Sequence, residues 1–293
     1  MSKPPSDSSV LRSWRSRDQI IPLPSQGAIM AILNITPDSF SDGGNFLNGE
    51  DALSQAESLL SQGADILDVG GESTRPGAPE VSAADEQARV LPVIEACRQR
   101  FPKVLLSIDT SKASVAREAL HLGAHIVNDV TGLRGDPEMA PLIAKTQAAV
   151  VIMHMQGTPR TMQRQPHYDD VVTDVRDFFE ERLQFAQMAG IHEDQIIFDP
   201  GIGFGKLPEH NLSLLRHLSE LTVGNRPLLL GISRKSFLGH LFDLPLPERD
   251  EATALISAFS HQSPILLHRV HDVSRTRKAL DIAAALRDLR RAR

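Results

Sequence analysis

Almost every apolar run in this chain ends on a residue that carries a charge or forms hydrogen bonds. In chain order the ends are Asn34, Asp68, Asp109, Asn128 with Asp129, Met153 with His154, Asp199, Ser233 with Arg234 and Lys235, and Arg269 with His271. They sort into two chemistries. Asp109, Asn128, Asp199 and Lys235 suit the edge of a flat polar heterocycle, because a carboxylate accepts two N–H bonds from an amidine-like edge while an amide both donates and accepts. Asn34, Thr74, Arg75, Arg269 and His271, with the glycine-rich segments beside them, supply the cations, hydroxyls and backbone N–H groups that phosphate oxygens need. Both sets in one site describe a transferase for a heterocycle carrying a phosphorylated leaving group. The plainer alternative is that Asp and Asn after a strand cap the next helix. Asp109 in "DTSK" is its strongest case, but capping does not account for the whole series.

Positioning those ends is the task of the elements between them. Strand-length apolar runs cover 28–34, 64–69, 104–109, 125–128, 149–153, 195–199, 228–233 and 265–270, and they alternate with amphipathic stretches of helical period over 50–62, 84–100, 112–122, 137–146, 170–189, 206–221, 249–261 and 273–291. Strands each followed by a helix pair in parallel through crossovers, and eight such units predict a single closed (β/α)8 barrel over 28–293. In such barrels the site lies at the C-terminal ends of the strands. Alternation along a strand puts Ser107 with Asp109, Ile126 with Asn128, Ile197 with Asp199, Gly231 with Ser233, and Arg269 with His271 on shared faces. If those faces point inward, Asn34, Asp109, Asn128, Asp199 and Arg269 converge at one mouth.

Composition narrows the partners. The 293 residues hold 31 Lys+Arg against 37 Asp+Glu, a formal charge of −6, which argues against a nucleic-acid or anionic-membrane surface. No apolar run approaches the roughly 20 residues of a membrane span. The lone cysteine, Cys97, sits in a helical pattern and reads as a packed thiol. Residues 1–27, polar and rich in Ser and Pro, read as a loose tail without a signal-peptide core. The expected location is cytoplasmic.

The segments "ILNITPDSFSDGG", "DVGGESTRPGA", "SIDTSK", "IVNDVTG", "MHMQGTP", "DPGIGFGK", "GISRKS" and "RVHDV" resemble, in order and spacing, the dihydropteroate synthase family of pterin-binding barrels, over about residues 28 to 275. The resemblance implies condensation of 6-hydroxymethyl-7,8-dihydropterin diphosphate with p-aminobenzoate to give 7,8-dihydropteroate and diphosphate. It implies that Asp109, Asn128, Asp199 and Lys235 hold the pterin ring, with Met153 on one face and Arg269 on the other. Asn34 would meet a Mg²⁺ bound to the diphosphate, whose oxygens Thr74, Arg269 and His271 would hold. Phe40, Arg75, Pro76, Phe204, Lys235 and Ser236 would line the p-aminobenzoate site. Asp109, Lys235, Arg269 and His271 would carry the catalysis, by loss of diphosphate to leave a pterin cation, and the enzyme would be a homodimer. Ala31 stands where the family pattern expects Gly, and "SHQSPILLHRVHDV" lacks a Gly-Ala before the last strand.

Two rivals have their own signatures. A methyltetrahydrofolate:corrinoid methyltransferase would share the Asp–Asn–Asp edge but has no need of "TPDSFSDGG", "STRPG" or the Arg-Val-His set. A non-catalytic pterin-binding homologue would have lost some of Asn34, Asp109, Lys235, Arg269 and His271, all of which are present. Three patterns are discounted. "GIGFGK" lacks the Ser or Thr of a P-loop, His121 and His125 straddle a helix-ending Gly123 and read as surface or capping histidines, and His154 lies on the opposite strand face from Met153.

Overall fold

The β-branched and Leu-rich runs are apolar on both faces, and strands of that kind belong in a parallel sheet covered by helices. The computed structural model describes residues 13–36, 49–73, 77–260 and 264–291. After an N-terminal hairpin, β1 (Ser13–Ser16) with β2 (Gln19–Pro22), the chain alternates β3 (Ala28–Asn34), α1 (Gly49–Ser61), β4 (Ile66–Gly70), α2 (Ala83–Arg100), β5 (Leu105–Asp109), α3 (Ala113–His121), β6 (Ile126–Asp129), α4 (Met139–Thr146) and β7 (Ala149–Met153). It continues with α5 (Val171–Met188), β8 (Ile196–Asp199), α6 (Pro208–Arg216), β9 (Leu228–Leu230), α7 (Ser236–Phe242), α8 (Arg249–Ser260), β10 (Ile265–Val270) and α9 (Val273–Arg291). The eight strands from β3 to β10 close into a parallel barrel, β10 pairing with both β3 and β9.

Alternation divides the strands into two cores. Ile29, Ala31, Leu33, Leu67, Val69, Ile108, Val150 and Ile152 face outward and pack with the helices. Ala28, Met30, Ile66, Ile126, Ala149, Val151, Ile197, Leu229 and Leu267 fill the barrel interior. Two residues further along the inward rows of β4, β6, β7, β8 and β10 stand Asp68, Asn128, Met153, Asp199 and Arg269. The same pleat that buries the apolar rows delivers the polar ends to the mouth.

The expectation of a loose tail fails for residues 13–27. Trp14, Ile21 and Leu23 are buried in the interior cluster at the end of the barrel opposite the mouth. Trp14 Nε1 donates to Gln195 O at 2.6 Å, Ser16 Oγ to His125 O at 2.6 Å, and the buried Arg226 bonds Ser13 O at 3.2 Å and Ile196 O at 2.9 Å. The hairpin is a floor. Residues 1–12 lie outside the described residues.

Two further details depart from expectation. Helix α7, only seven residues, follows directly on Lys235. His125 is buried rather than at the surface, its Nδ1 accepting Leu106 N–H at 3.2 Å. No group of three or more metal-ligating side chains occurs among the described residues. No described helix is long and apolar enough to cross a membrane.

Candidate active site

The mouth is organised by one guanidinium. Arg269, near the end of β10, donates from Nε to Asp68 Oδ2 at 2.6 Å and from Nη2 to Asp109 Oδ2 at 2.6 Å. Asn128 Nδ2 donates to the same Asp68 oxygen at 3.1 Å. The ends of β4, β5, β6 and β10 are thereby tied into one network. Neither of these two Arg269 bonds uses Nη1. Gly70, at the end of β4, lies against both neighbouring strand ends: a Cβ there would be in ordinary contact with the Asp109 Cβ, at 3.5 Å, and with Asn34 Oδ1, at 3.7 Å. Asn34, half-buried at the end of β3, therefore stands beside Asp109.

The helix-cap alternative separates cleanly between neighbours. Asp129 does cap a turn, taking Thr131 N–H at 2.8 Å and Leu133 N–H at 3.0 Å. Asp109 caps nothing: the first turn of α3 is served by Thr110 Oγ1 and by Asp136 Oδ2. Asp199 accepts Gly201 N–H at 2.7 Å through Oδ1, and its Oδ2 comes so near Gly231 that a Cβ there would lie 3.3 Å from it.

Across the mouth, Lys235 extends its amine over the Phe204 ring, 4.2 Å from the centroid, and donates to Ile202 O. That approach depends on Gly203 at φ 81, where a Cβ would sit 2.8 Å from the Lys235 Cδ. The loop 200–206 is held from beneath by Lys206, which is almost fully buried and bonds His154 Nδ1 at 2.8 Å, Gly201 O at 3.1 Å and Phe204 O at 3.0 Å. Burial pushes both Lys206 and His154 well below their ordinary pKa values. Phe204 packs on an apolar patch of Val130, Met153, Met155 and Met162, a flat greasy surface next to the polar edge. Past the end of β10, Ser233 Oγ and His271 Nδ1 lie 2.8 Å apart, and the His271 N–H donates to the same hydroxyl at 3.1 Å.

The electrostatics centre on neutrality. Burial pushes the Asp109 carboxyl up to about 7 against the pull of Arg269. Burial brings the Lys235 amine down to about 7, with Asp199 pulling the other way. Asp199 is also raised by burial. Ionisable groups shifted toward neutral pH around a concave mouth mark a site where charge is meant to change.

The structure thus brings together Asn34, Asp109, Asn128, Met153, Asp199, Phe204, Lys235, Arg269 and His271. Ser236 is exposed at the start of α7, next to Lys235. Phe40, Thr74, Arg75 and Pro76 lie outside the described residues. Two participants were missed. Asp68 shows in sequence as another acidic strand end and is the second anchor of Arg269. Lys206 hides inside the glycine run, because a lysine is ordinarily a surface residue.

Comparison with known proteins agrees with this fold. The profile of the pterin binding enzyme family matches residues 30–271. Dihydropteroate synthase of Escherichia coli strain K12 is 46% identical over 257 residues, spanning 88% of this chain and 90% of that relative. The chain belongs to the dihydropteroate synthase family. The enzyme of Haemophilus influenzae is 45% identical over 254 residues, spanning 87% of this chain and 92% of its own. Among solved structures, Yersinia pestis dihydropteroate synthase in complex with a sulfonamide drug superposes with a TM-score of 0.88 at 46% identity, covering 94% of this chain and 99% of that one. The Burkholderia cenocepacia enzyme complexed with 7,8-dihydropteroate superposes at 0.86 and 39% identity, covering 96% and 98%. The barrel of these solved structures is the fold described above.

Proposed function

We propose that this chain joins 6-hydroxymethyl-7,8-dihydropterin diphosphate to p-aminobenzoate, forming 7,8-dihydropteroate and releasing diphosphate. The observation that carries the reading is the Asp68–Arg269–Asp109 network, set on the same inward parity as Asn128 and Asp199 and facing the Met153–Phe204 patch. An aminopterin edge matches it: N–H donors to Asp109 and Asp199, a two-way amide at Asn128, and an apolar platform for the ring.

In this reading the C–O bond between the exocyclic methylene and the diphosphate breaks first, its electron pair leaving on oxygen. Asp109 and Asp199 stabilise the cation that remains, and a preorganised group of this kind is worth about 3 kcal/mol in the barrier. Arg269 Nη1 and His271 hold the departing oxygens. The Ser233 hydroxyl beside Nδ1 orients the His271 ring, so that Nε2, when it carries a proton, donates a hydrogen bond to a phosphate oxygen. The arylamine nitrogen then forms the new C–N bond and loses a proton to solvent or to the released diphosphate. Phe204, Lys235 and Ser236 position the ring of the amine, and Phe40, Arg75, Pro76 and Thr74 complete the two subsites.

Magnesium fits the donor set. Asn34 Oδ1 opens on the space beside Gly70, and an ion that keeps most of its coordination for water and phosphate needs few protein oxygens. When bound, it neutralises charge on the diphosphate. Asn34 would hold it.

The exposed apolar pairs Leu255 with Phe259 on α8 and Ile282 with Leu286 on α9 support a homodimer through these two helices; Phe259→Glu would then shift the sedimentation mass to that of a monomer. The activity is tested by mixing the protein with both substrates, with and without Mg²⁺, and detecting dihydropteroate chromatographically. Product dependent on both substrates and on the metal is the expected result. A protein that binds the pterin diphosphate and never turns over would sink the catalytic reading.

A further inference from the structure

Lys235 stands on no regular element. It occupies a turn between β9 and α7, and the residue before it, Arg234, holds φ at 59. A residue with a Cβ enters that region only where its surroundings keep it there.

Those surroundings are one turn of α8. Arg234 Nε and Nη2 donate to Asp250 Oδ1 and Oδ2 at 2.8 and 2.7 Å. The Arg234 N–H reaches Thr253 Oγ1 at 3.4 Å, and the Arg234 carbonyl accepts from Arg249 Nη1 at 3.3 Å. Side chain, amide and carbonyl of a single residue are thus all gripped by Arg249, Asp250 and Thr253. On one side of Arg234, Ser233 holds His271; on the other, Lys235 reaches into the mouth. An exposed ion pair would contribute little to such a grip. Asp250, however, is buried, and the pairing is bidentate, a geometry that only the arginine fork provides.

We propose that Asp250 and Arg234 are positioning residues, which through the turn 233–235 fix the Lys235 amine and the Ser233–His271 contact at the mouth. The proposal rests on the reading of Lys235 as a substrate-binding group. Asp250 reaches no substrate itself and acts from the outer ring of helices.

The test follows Lys235 directly. Trace acetylation with acetic anhydride between pH 6 and 11, quantified by mass spectrometry, reports the titration midpoint of each lysine. The charges facing the Lys235 amine are Asp199 from β8, Asp109 from β5, Arg269 from β10 and Lys206 from the loop after β8. None is altered in Asp250→Asn or Arg234→Lys. Both variants are expected to raise the midpoint by at least one pH unit, as the turn relaxes and water reaches the amine, and to lower kcat/KM at least tenfold. Asp194→Asn, which breaks the Arg15 ion pair at the barrel floor, should lower the melting temperature and leave the midpoint alone. Arg234→Gly accepts φ 59 without an anchor and guards against a fold that fails. A parental midpoint or parental kcat/KM in any of these turn variants overturns the proposal. Labelling needs no substrate, so if the parent protein forms no dihydropteroate, the labelling result decides the positioning role while the assay counts against the function.

Discussion

Arg269 and Asp68 meet at 2.6 Å although 201 residues separate them in the chain. Their strands, β10 and β4, are not neighbours; each pairs with β3 from opposite sides. The bond therefore straddles the strand that ends in Asn34, and it joins the last strand of the barrel to the second. Asp68→Ala would leave a partly buried guanidinium with half its partners and the buried Asn128 without its acceptor. The expected outcome is a loss of about 3 kcal/mol in unfolding free energy, measured by urea titration, together with at least a tenfold loss in kcat/KM. A variant as stable as its parent would mean that the pair contributes nothing net.

Asp109→Asn keeps shape and hydrogen bonding but removes the charge that faces a developing cation. It is expected to lower kcat by about 100-fold, in line with the loss of one preorganised electrostatic group, while the affinity for the pterin diphosphate changes severalfold at most. Single-turnover kinetics alongside calorimetric binding separates the two. A near-parental kcat would remove the cation from the mechanism.

Asp199 pulls the Lys235 amine upward against burial. Asp199→Asn is therefore expected to lower the Lys235 midpoint further below about 7, opposite in sign to the change expected for Asp250→Asn. The same acetylation experiment reads both. A rise after Asp199→Asn would show that the two groups do not interact as described.

His125 is held neutral. Burial brings it from 6.5 down to about 4, with Arg98 and Arg17 adding to the effect. Its folded value lies below its unfolded one, so the unfolded chain binds more protons between these limits, and stability is lost as pH falls from about 6.5 to about 4. The shift corresponds to about 3 kcal/mol at full effect. His125→Gln should flatten the dependence of the urea midpoint on pH across that window. An unchanged slope would assign acid lability elsewhere.

Trp14→Ala removes the largest side chain of the floor and the bond to Gln195 O. A cost of about 3–5 kcal/mol is expected from truncation of a fully buried aromatic, read from the urea midpoint. Because the floor lies at the far end of the barrel, substrate affinities at low temperature should remain parental, and a large rise in KM would contradict that separation.

How much of this was readable beforehand follows from periodicity. The inward parity of Asp109, Asn128, Asp199 and Arg269 is a two-residue repeat, and it survives in a bare string of letters. What does not survive is which of two adjacent polar residues turns inward to ligand chemistry and which turns to its own backbone: Asp129 caps a turn, while Asn128 joins the Arg269 network. Asp68 was visible as a strand end, but its role depends on a partner 201 residues away. Lys206 appears in the sequence only as the end of the discounted "GIGFGK" pattern, and its three buried partners alone reveal it as a strut. The hairpin was read as a tail because strands of four residues, half of them Ser, Arg and Gln, are too short to show alternation. Its apolar content is concentrated in Trp14 and Ile21.

The Trp14 floor has a consequence for traffic. From that floor upward side chains fill the barrel, so the mouth has a single doorway: whatever lies deepest has to arrive first and whatever lies above it bars its exit. On the proposed reading, a ring seated against Asp109 and Asn128 would enter before an amine held near Phe204 and Ser236, and diphosphate, the joined product and fresh substrate would all share one corridor.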